Sequence, residues 1–405
     1  MNGFWNRLCA GALAAVMAAG ILTGCGGKAP DSEGQEAEGE KVFYYGDTTF
    51  NAENDESDVN PHNGYSGWAG IRYGIGETLF KYSDAMEADP WLATEYTNVD
   101  ETTWEITLRD GVTFTSGRSM DAQAVKECLE HLTEVHERAA GDLKIQEIAA
   151  DGQKLTIRTE VPVPALINYL AEPYGCIIDM AAGITEDGNV SGTGPYRATL
   201  VETDKGLTLV KNEAYWDGMP RLDTIYVRTI SDGDTLTMAM QSGELDGAYG
   251  LPYASLPLFE GTPYTISSVE TSRSFFAVMN YKSEVLQDDR VRRAVAGAVD
   301  RKNFTEILLN GNGSPAEGPF PAGFSFGDQT VTAQPFAPKA SRALLEEAGW
   351  TDTDGDGYVD KNGQKLTLRW LTYPSRQELP LLAESVQAVM KEIGIDLQVN
   401  CTANH

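Results

Sequence analysis

Positive charge is scarce in this chain of 405 residues: 31 Lys and Arg stand against 60 Asp and Glu, a formal net charge of −29. Phosphate binding demands a basic face, so this balance excludes a nucleic-acid partner and a polybasic grip on a membrane. Histidine is scarcer, with only His62, His131, His136 and His405. His131 and His136 are five residues apart and fall on different faces of a helix. No HExxH, GxSxG or phosphate-loop pattern occurs, so no catalytic constellation is present and the chain reads as a non-enzyme. The five cysteines include no CxxC pair, which leaves metal clips and thioredoxin-like redox chemistry unsupported. A disulfide between Cys128 and Cys176 stays open. No stretch after the N-terminal region is apolar enough to cross a membrane.

What is present begins at the N-terminus. Arg7 precedes an uncharged apolar run, Leu8 to Leu22, too short to span a ~30 Å hydrocarbon core as a helix and suited to a cleaved export signal. It ends in Leu22-Thr23-Gly24-Cys25, which resembles the lipobox of bacterial lipoproteins. That resemblance implies lipidation of Cys25 as the first mature residue. It places the protein outside the cytoplasm, anchored to the cell membrane in a periplasm or on a Gram-positive outer face. Gly26 to Glu40 is small, polar and acidic and reads as a disordered tether.

From Lys41 onward strand and helix patterns alternate. Thr103 to Leu108 alternates at period two, and Asp110-Gly111 with Val112-Thr113-Phe114 suggests a hairpin partner. Asp121 is placed to cap a helix whose apolar stripe is Ala124, Val125, Cys128, Leu129, Leu132 and Val135. Lys154–Thr159 reads as a strand, and Gly192-Thr193-Gly194-Pro195-Tyr196 as a turn cluster. Helices are expected over Thr235–Gln241, Arg290–Val299, Lys302–Leu309, Pro335–Gly349 and Leu382–Ile393, and strands over Leu366–Trp370 and Ile395–Val399. The pattern is mixed α/β with several domains.

Several blocks then occur in order: Pro90-Trp91-Leu92-Ala93 with Trp104 through Phe114; Gly192 to Tyr196; Asn212-Glu213-Ala214-Tyr215-Trp216-Asp217-Gly218; Gly243-Glu244-Leu245-Asp246; Val291-Arg292-Arg293-Ala294 with Ala298 to Arg301; and Ala343 to Trp350. Together they resemble the extracellular solute-binding proteins of family 5, the peptide and nickel receptors of ABC importers. The blocks themselves read as scaffold, because glycine turns and large buried aromatics build folds.

The resemblance implies a two-lobed, type II periplasmic-binding-protein-like α/β fold with an inserted subdomain. Residues 41–82 and 192–270 would form lobe I, 83–191 the insertion and 271–405 lobe II. Family members continue beyond the point matching Val399, so lobe II is expected to be incomplete. The implied function is capture of short peptides outside the cell and delivery to ABC permease and ATPase subunits. A nickel or other metal-chelate receptor is the alternative, and a surface lipoprotein that senses or adheres, or a fragment without function, is the reading of another class.

Candidate ligand contacts are Tyr65 and Trp68, on the loop after Asn60-Pro61-His62, with Arg138 and Arg273. Arg138 reads either as a carboxylate-binding group or as a solvated Arg closing the Cys128 helix. His62 is a weaker metal candidate. Asp352, Asp354, Asp356 and Asp360 match the early positions of a calcium loop, but its twelfth position is Gly363, so an acidic β-turn competes. No cofactor is required; a nickel chelate would be ligand, and calcium a bound ion.

Overall fold

The computed structural model describes residues 39–83, 86–269, 271, 273–321, 331–374 and 376–402. The export signal, Cys25, nearly all of the tether, and His405 lie outside the described residues. In chain order the strands are β1 (Val42–Asp47), β2 (Phe80–Tyr82), β3 (Ala88–Pro90), β4 (Ala93–Asp100), β5 (Thr103–Leu108), β6 (Ile145–Asp151), β7 (Lys154–Thr159) and β8 (Tyr196–Glu202). They continue with β9 (Gly206–Lys211), β10 (Thr224–Thr229), β11 (Gly247–Tyr249), β12 (Asp360–Lys361), β13 (Gln364–Lys365), β14 (Thr367–Thr372) and β15 (Asp396–Cys401). The helices are α1 (Ser66–Arg72), α2 (Ala122–Val135), α3 (Glu137–Leu143), α4 (Leu166–Tyr169), α5 (Gly233–Ser242), α6 (Asp289–Gly297), α7 (Arg301–Asn303), α8 (Pro338–Glu347) and α9 (Glu378–Glu392).

A mixed five-stranded sheet has the order β11-β1-β10-β9-β8, with β1 parallel to both its neighbours. A second, antiparallel sheet runs β4-β5-β7-β6. In β5 the alternation places Trp104, Ile106 and Leu108 inward. The hairpin joins β4 to β5, not β5 to Val112–Phe114, because β4 and β7 already occupy both edges of β5. Val112–Phe114 instead folds back on itself, with Thr113 bridged to Ser119.

Asp121 caps α2 by accepting the Ala124 N–H at 2.8 Å, and the expected stripe is buried except Val135, which is 52% exposed at the helix end. Cys128 and Cys176 are buried free thiols, so the disulfide left open by the sequence is not formed. Ile178 N–H donates to the Cys128 sulfur at 3.4 Å, and burial pushes the Cys128 thiol up to about 12. The expected helix over Lys302–Leu309 is a short turn of α7 followed by a wide π-turn, Phe304–Leu308.

One apolar cluster, from Phe50 to Val227, runs through both large sheets. A second, from Leu286 to Leu397, is built by α6, α8 and the β14-α9-β15 unit, where β14 and β15 pair in parallel. A small third cluster joins Leu236, Met240, Leu245 and Phe259. The glycines of the 192–196 turn have a steric reason. A Cβ on Gly192 would strike the Ile75 carbonyl, and one on Gly194 the Gly74 carbonyl.

Candidate ligand cleft and side pocket

A cleft of about 2580 Å³ opens beside the C-terminal end of β1. Its walls come from the loop at 48–54, the stretch 248–253, residues 265–269 and 273–277, the Phe304 turn, and Trp370 with the start of α9. Arg273, Arg301 and Arg376 line it together with Phe275, Phe276, Phe304 and Trp370, and no His or Cys occurs among the lining residues described. The loop conformation is set from beneath. Asp47, fully buried, accepts the Thr49 N–H at 2.6 Å and the Tyr73 hydroxyl at 2.8 Å. Arg72 lies 3.6 Å from Asp47 and 2.7 Å from Glu56, and its guanidinium sits over the Tyr249 ring at 5.6 Å. Burial raises the Glu56 carboxyl above its ordinary range despite Arg72, and burial, then Asp47, pushes the Tyr45 phenol up to about 12.

A separate pocket of about 360 Å³ collects three of the expected ligand residues, Tyr65, Trp68 and Arg138, beside His62, His136, Glu172 and Tyr174. It flanks the same loop as the cleft, since Tyr65 N–H donates to the Asp55 carbonyl at 3.1 Å. Tyr65 and Trp68 are about half exposed, at 49% and 47%. Gly67 between them abuts the Pro173 carbonyl, where a Cβ would lie at 2.5 Å, so α1 can seat both rings at the rim. Arg138 is not a helix-closing residue. His136 ends α2 and caps α3, which puts Arg138 in the first turn of α3, where the helix dipole disfavours a cation. It is held there by Glu172 at 2.9 Å, by Asp142 at 3.4 Å, and over the Tyr174 ring at 5.5 Å.

The histidines are mostly committed within the protein. His136 Nδ1 accepts the Ala139 N–H at 3.1 Å and its Nε2 lies 3.1 Å from the Gly64 carbonyl, so both ring nitrogens have partners. His62 Nδ1 lies 2.7 Å from His131 Nδ1, and its Nε2 is 3.6 Å from the Cys128 sulfur. Burial, then the neighbouring His131 and His136, lowers His62 to about 3. Direct metal ligation by His62 would have to break one of these contacts. Arg273 lies apart from this pocket, in the cleft.

The acidic loop brings Asp352, Asp354 and Asp356 carboxylates within 4.8 Å of one another. Asp360 is not among them: on β12 its carboxylate takes the Thr353 hydroxyl and N–H, at 2.8 and 2.9 Å. Lys365 already neutralises Asp356 at 2.6 Å and holds its carboxyl below the usual range. Asn362 and Gly363, at φ of 54° and 73°, turn the β12-β13 hairpin in the way the sequence suggested for a plain turn.

Sequence reasoning passed over Glu77, Arg376 and Glu378. Glu77 is buried and accepts from the Thr193 hydroxyl at 2.7 Å, the Tyr215 hydroxyl at 2.8 Å and the Trp216 indole at 2.9 Å. It thereby ties two of the sequence blocks together, and Arg109 packs over Trp216 at 4.5 Å. Those blocks hold the scaffold, and the only signal for Glu77 was that their donors needed a shared acceptor.

Known proteins resemble this chain in sequence and fold. The chain is 28% identical over 330 residues to the nickel-binding protein NikA of Staphylococcus aureus, covering 81% of this chain and 65% of that one. It is 27% identical over 336 residues to the glutathione-binding protein GsiB of Escherichia coli O1:K1, covering 79% and 62%. The chain thus spans about two thirds of the length of these relatives or slightly less. The crystal structure of a nickel ABC transporter protein from Bacillus halodurans superposes with a TM-score of 0.69 at 32% identity, covering 90% of this chain and 74% of that one. The fold is accordingly the two-lobed, type II binding-protein form of α/β structure. Residues 87–405 match the middle region of the bacterial extracellular solute-binding proteins, family 5, and the chain belongs to that family.

Proposed function

We propose that this chain is the solute receptor of an ABC importer, capturing short peptides outside the cell for delivery to permease and ATPase subunits. The observation that carries the reading is the cleft itself, whose lining combines Arg273, Arg301 and Arg376 with aromatic side chains. A guanidinium pairs with a carboxylate through two parallel hydrogen bonds, while aromatic surface accepts varied side chains. No bond is made or broken in the receptor; lobe closure around solute converts binding into a shape the permease recognises. Acyl chains on Cys25 would hold it at the membrane.

A second reading, a nickel chelate, draws on the side pocket and on the nickel-binding relatives. A compact pocket of about 360 Å³ suits a small complex, with Tyr65 and Trp68 against its flat faces and Arg138 toward a chelator carboxylate. Because His62 and His136 beside this pocket are already held by contacts within the protein, such a metal would arrive wrapped in its own ligands.

Thermal unfolding of the purified chain, alone, with pooled short peptides, and with nickel(II) plus L-histidine, separates the readings. A ligand at ~100 times its Kd stabilises the folded state by about 2.7 kcal/mol. An upward shift with peptides alone supports the first reading and a shift with the chelate alone the second. No shift with either leaves a receptor for transport unsupported and favours a sensing or adhesive surface lipoprotein.

A further inference from the structure

The two sides of the cleft rest on different apolar clusters, and among the described residues no helix or strand before residue 260 packs extensively on one after residue 283. Two side-chain hydrogen bonds between described residues join the sides at one place. The Tyr253 hydroxyl donates to Glu378 Oε1 at 2.7 Å, and the Gln377 side chain donates to the Leu251 carbonyl at 3.3 Å. Glu378 opens α9 at the cleft wall yet is only 8% exposed, so its carboxylate is largely withdrawn from solvent in making this bond. Two residues before it, Arg376 lines the cleft and its charge reaches Glu56 on the opposite side.

We propose that Tyr253 and Glu378 form an interlobe latch, a positioning pair that holds the first turn of α9, and with it Arg376, in the arrangement that receives solute. The proposal rests on the reading of the cleft as the solute site. Hydrogen bonds to a carboxylate are the stronger kind, and with little apolar contact between the sides this one weighs heavily in their relative placement. Burial and the facing Glu378 raise the Tyr253 phenol, which keeps its proton on the donor side. A solute that fits only the latched form binds with an apparent affinity scaled by the latched fraction.

The test compares the purified chain with Tyr253→Phe, Glu378→Ala, Glu378→Gln and the Tyr253→Phe/Glu378→Ala double variant. Without ligand, amide hydrogen exchange is followed at residues 250–254 and 377–381. Tyr253→Phe and Glu378→Ala should each speed exchange by about tenfold, the size expected for one lost hydrogen bond to a charged group. The double variant should add nothing further, and Glu378→Gln, which keeps an acceptor, should retain most of the protection. Titration with glutathione and with nickel(II) plus L-histidine should show about the same tenfold loss for whichever probe binds. Unchanged exchange in Tyr253→Phe, or effects that multiply in the double variant, would overturn the latch. If the exchange pattern holds while the unmutated chain binds neither probe, the latch stands and the solute reading fails.

Discussion

The Glu77 carboxylate accepts the indole N–H of Trp216 at 2.9 Å, across 139 residues of sequence. With Thr193 and Tyr215 as further donors, it joins the turn at Gly192–Tyr196 to the aromatic block that follows β9. Burial, the largest influence, nevertheless raises the Glu77 carboxyl above its ordinary range, against the pull of those three donors. A carboxyl raised on folding contributes stability that is fully present at pH below its unfolded value and is lost as pH rises through the folded one. Glu77→Gln imitates the neutral form at every pH. Its melting-temperature penalty is therefore expected to be larger at pH 4 than at pH 7. A penalty that grows toward pH 7 would mean the donors hold the group ionised.

The glycine turn gives a prediction about steric fit. Gly192→Ala and Gly194→Ala put a methyl group against the carbonyls of Ile75 and Gly74, which are backbone atoms rather than the ends of flexible side chains. Each is expected to cost about 3 kcal/mol or more, at the upper end for overpacking. Gly111→Ala is the control: that residue has φ of +77° but open space around its would-be Cβ, so about 1 kcal/mol is expected from backbone strain alone. Urea midpoints with unchanged slopes would give both values. Equal losses at the three sites would remove the steric explanation.

How much of this was legible in the sequence depended on the range of the interactions. The Asp121 cap, the α2 stripe and the Asn362-Gly363 turn involve neighbours within a few residues, and local pattern displayed them. Val135 was misplaced because a periodic stripe does not announce where the covering layer ends. The hairpin was assigned to the wrong side of β5 because the competing partners, β4 and β7, are chosen by tertiary pairing. Arg138 looked like a helix end until His136 was seen to begin a new helix. Tyr65, Trp68 and Arg138 were identified from a family likeness, and the structure does gather them in one pocket, but it leaves Arg273 in the other. Glu378 gave no local sign at all, since its partner Tyr253 is 125 residues away.

His62 carries the opposite pH dependence to Glu77. Burial, followed by His131 and His136, lowers it to about 3, so the folded state excludes a proton that the unfolded chain takes up near pH 6.5. A histidine lowered in this way destabilises the fold progressively as pH falls from about 6.5 toward 3, by about 1.4 kcal/mol per pH unit within that window. His62→Asn should flatten this part of the stability profile while lowering stability at pH 7. Imidazole nitrogen shifts of His62 are expected to remain those of a neutral ring at pH 5. A protonated His62 ring at that pH would show that the contact with His131 is an ionic hydrogen bond and would refute the burial argument.

Arg138 and Arg376 distinguish the two cavities as solute sites. Arg138 already holds Glu172 and Asp142 at its pocket rim, at 2.9 and 3.4 Å, so binding a carboxylate there must compete with two existing partners. Arg376 lines the larger cleft, whose lining also includes Tyr249, Tyr253, Phe304 and Trp370. If short peptides are the solute, Arg376→Ala is expected to weaken their binding by about 10- to 100-fold, the range for removing one charge-assisted anchor. Arg138→Ala should then change peptide affinity by less than about threefold, because a partly exposed ion pair contributes little. The pattern reverses for a nickel chelate seated between Tyr65 and Trp68: Arg138→Ala and Trp68→Ala should both impair it, with Arg376→Ala nearly silent. Calorimetric titration of the same three variants with each probe decides the matter. Equal losses from Arg138 and Arg376 with one probe would mean that a single solute reaches across the loop between the two cavities, and both assignments would then have to be merged.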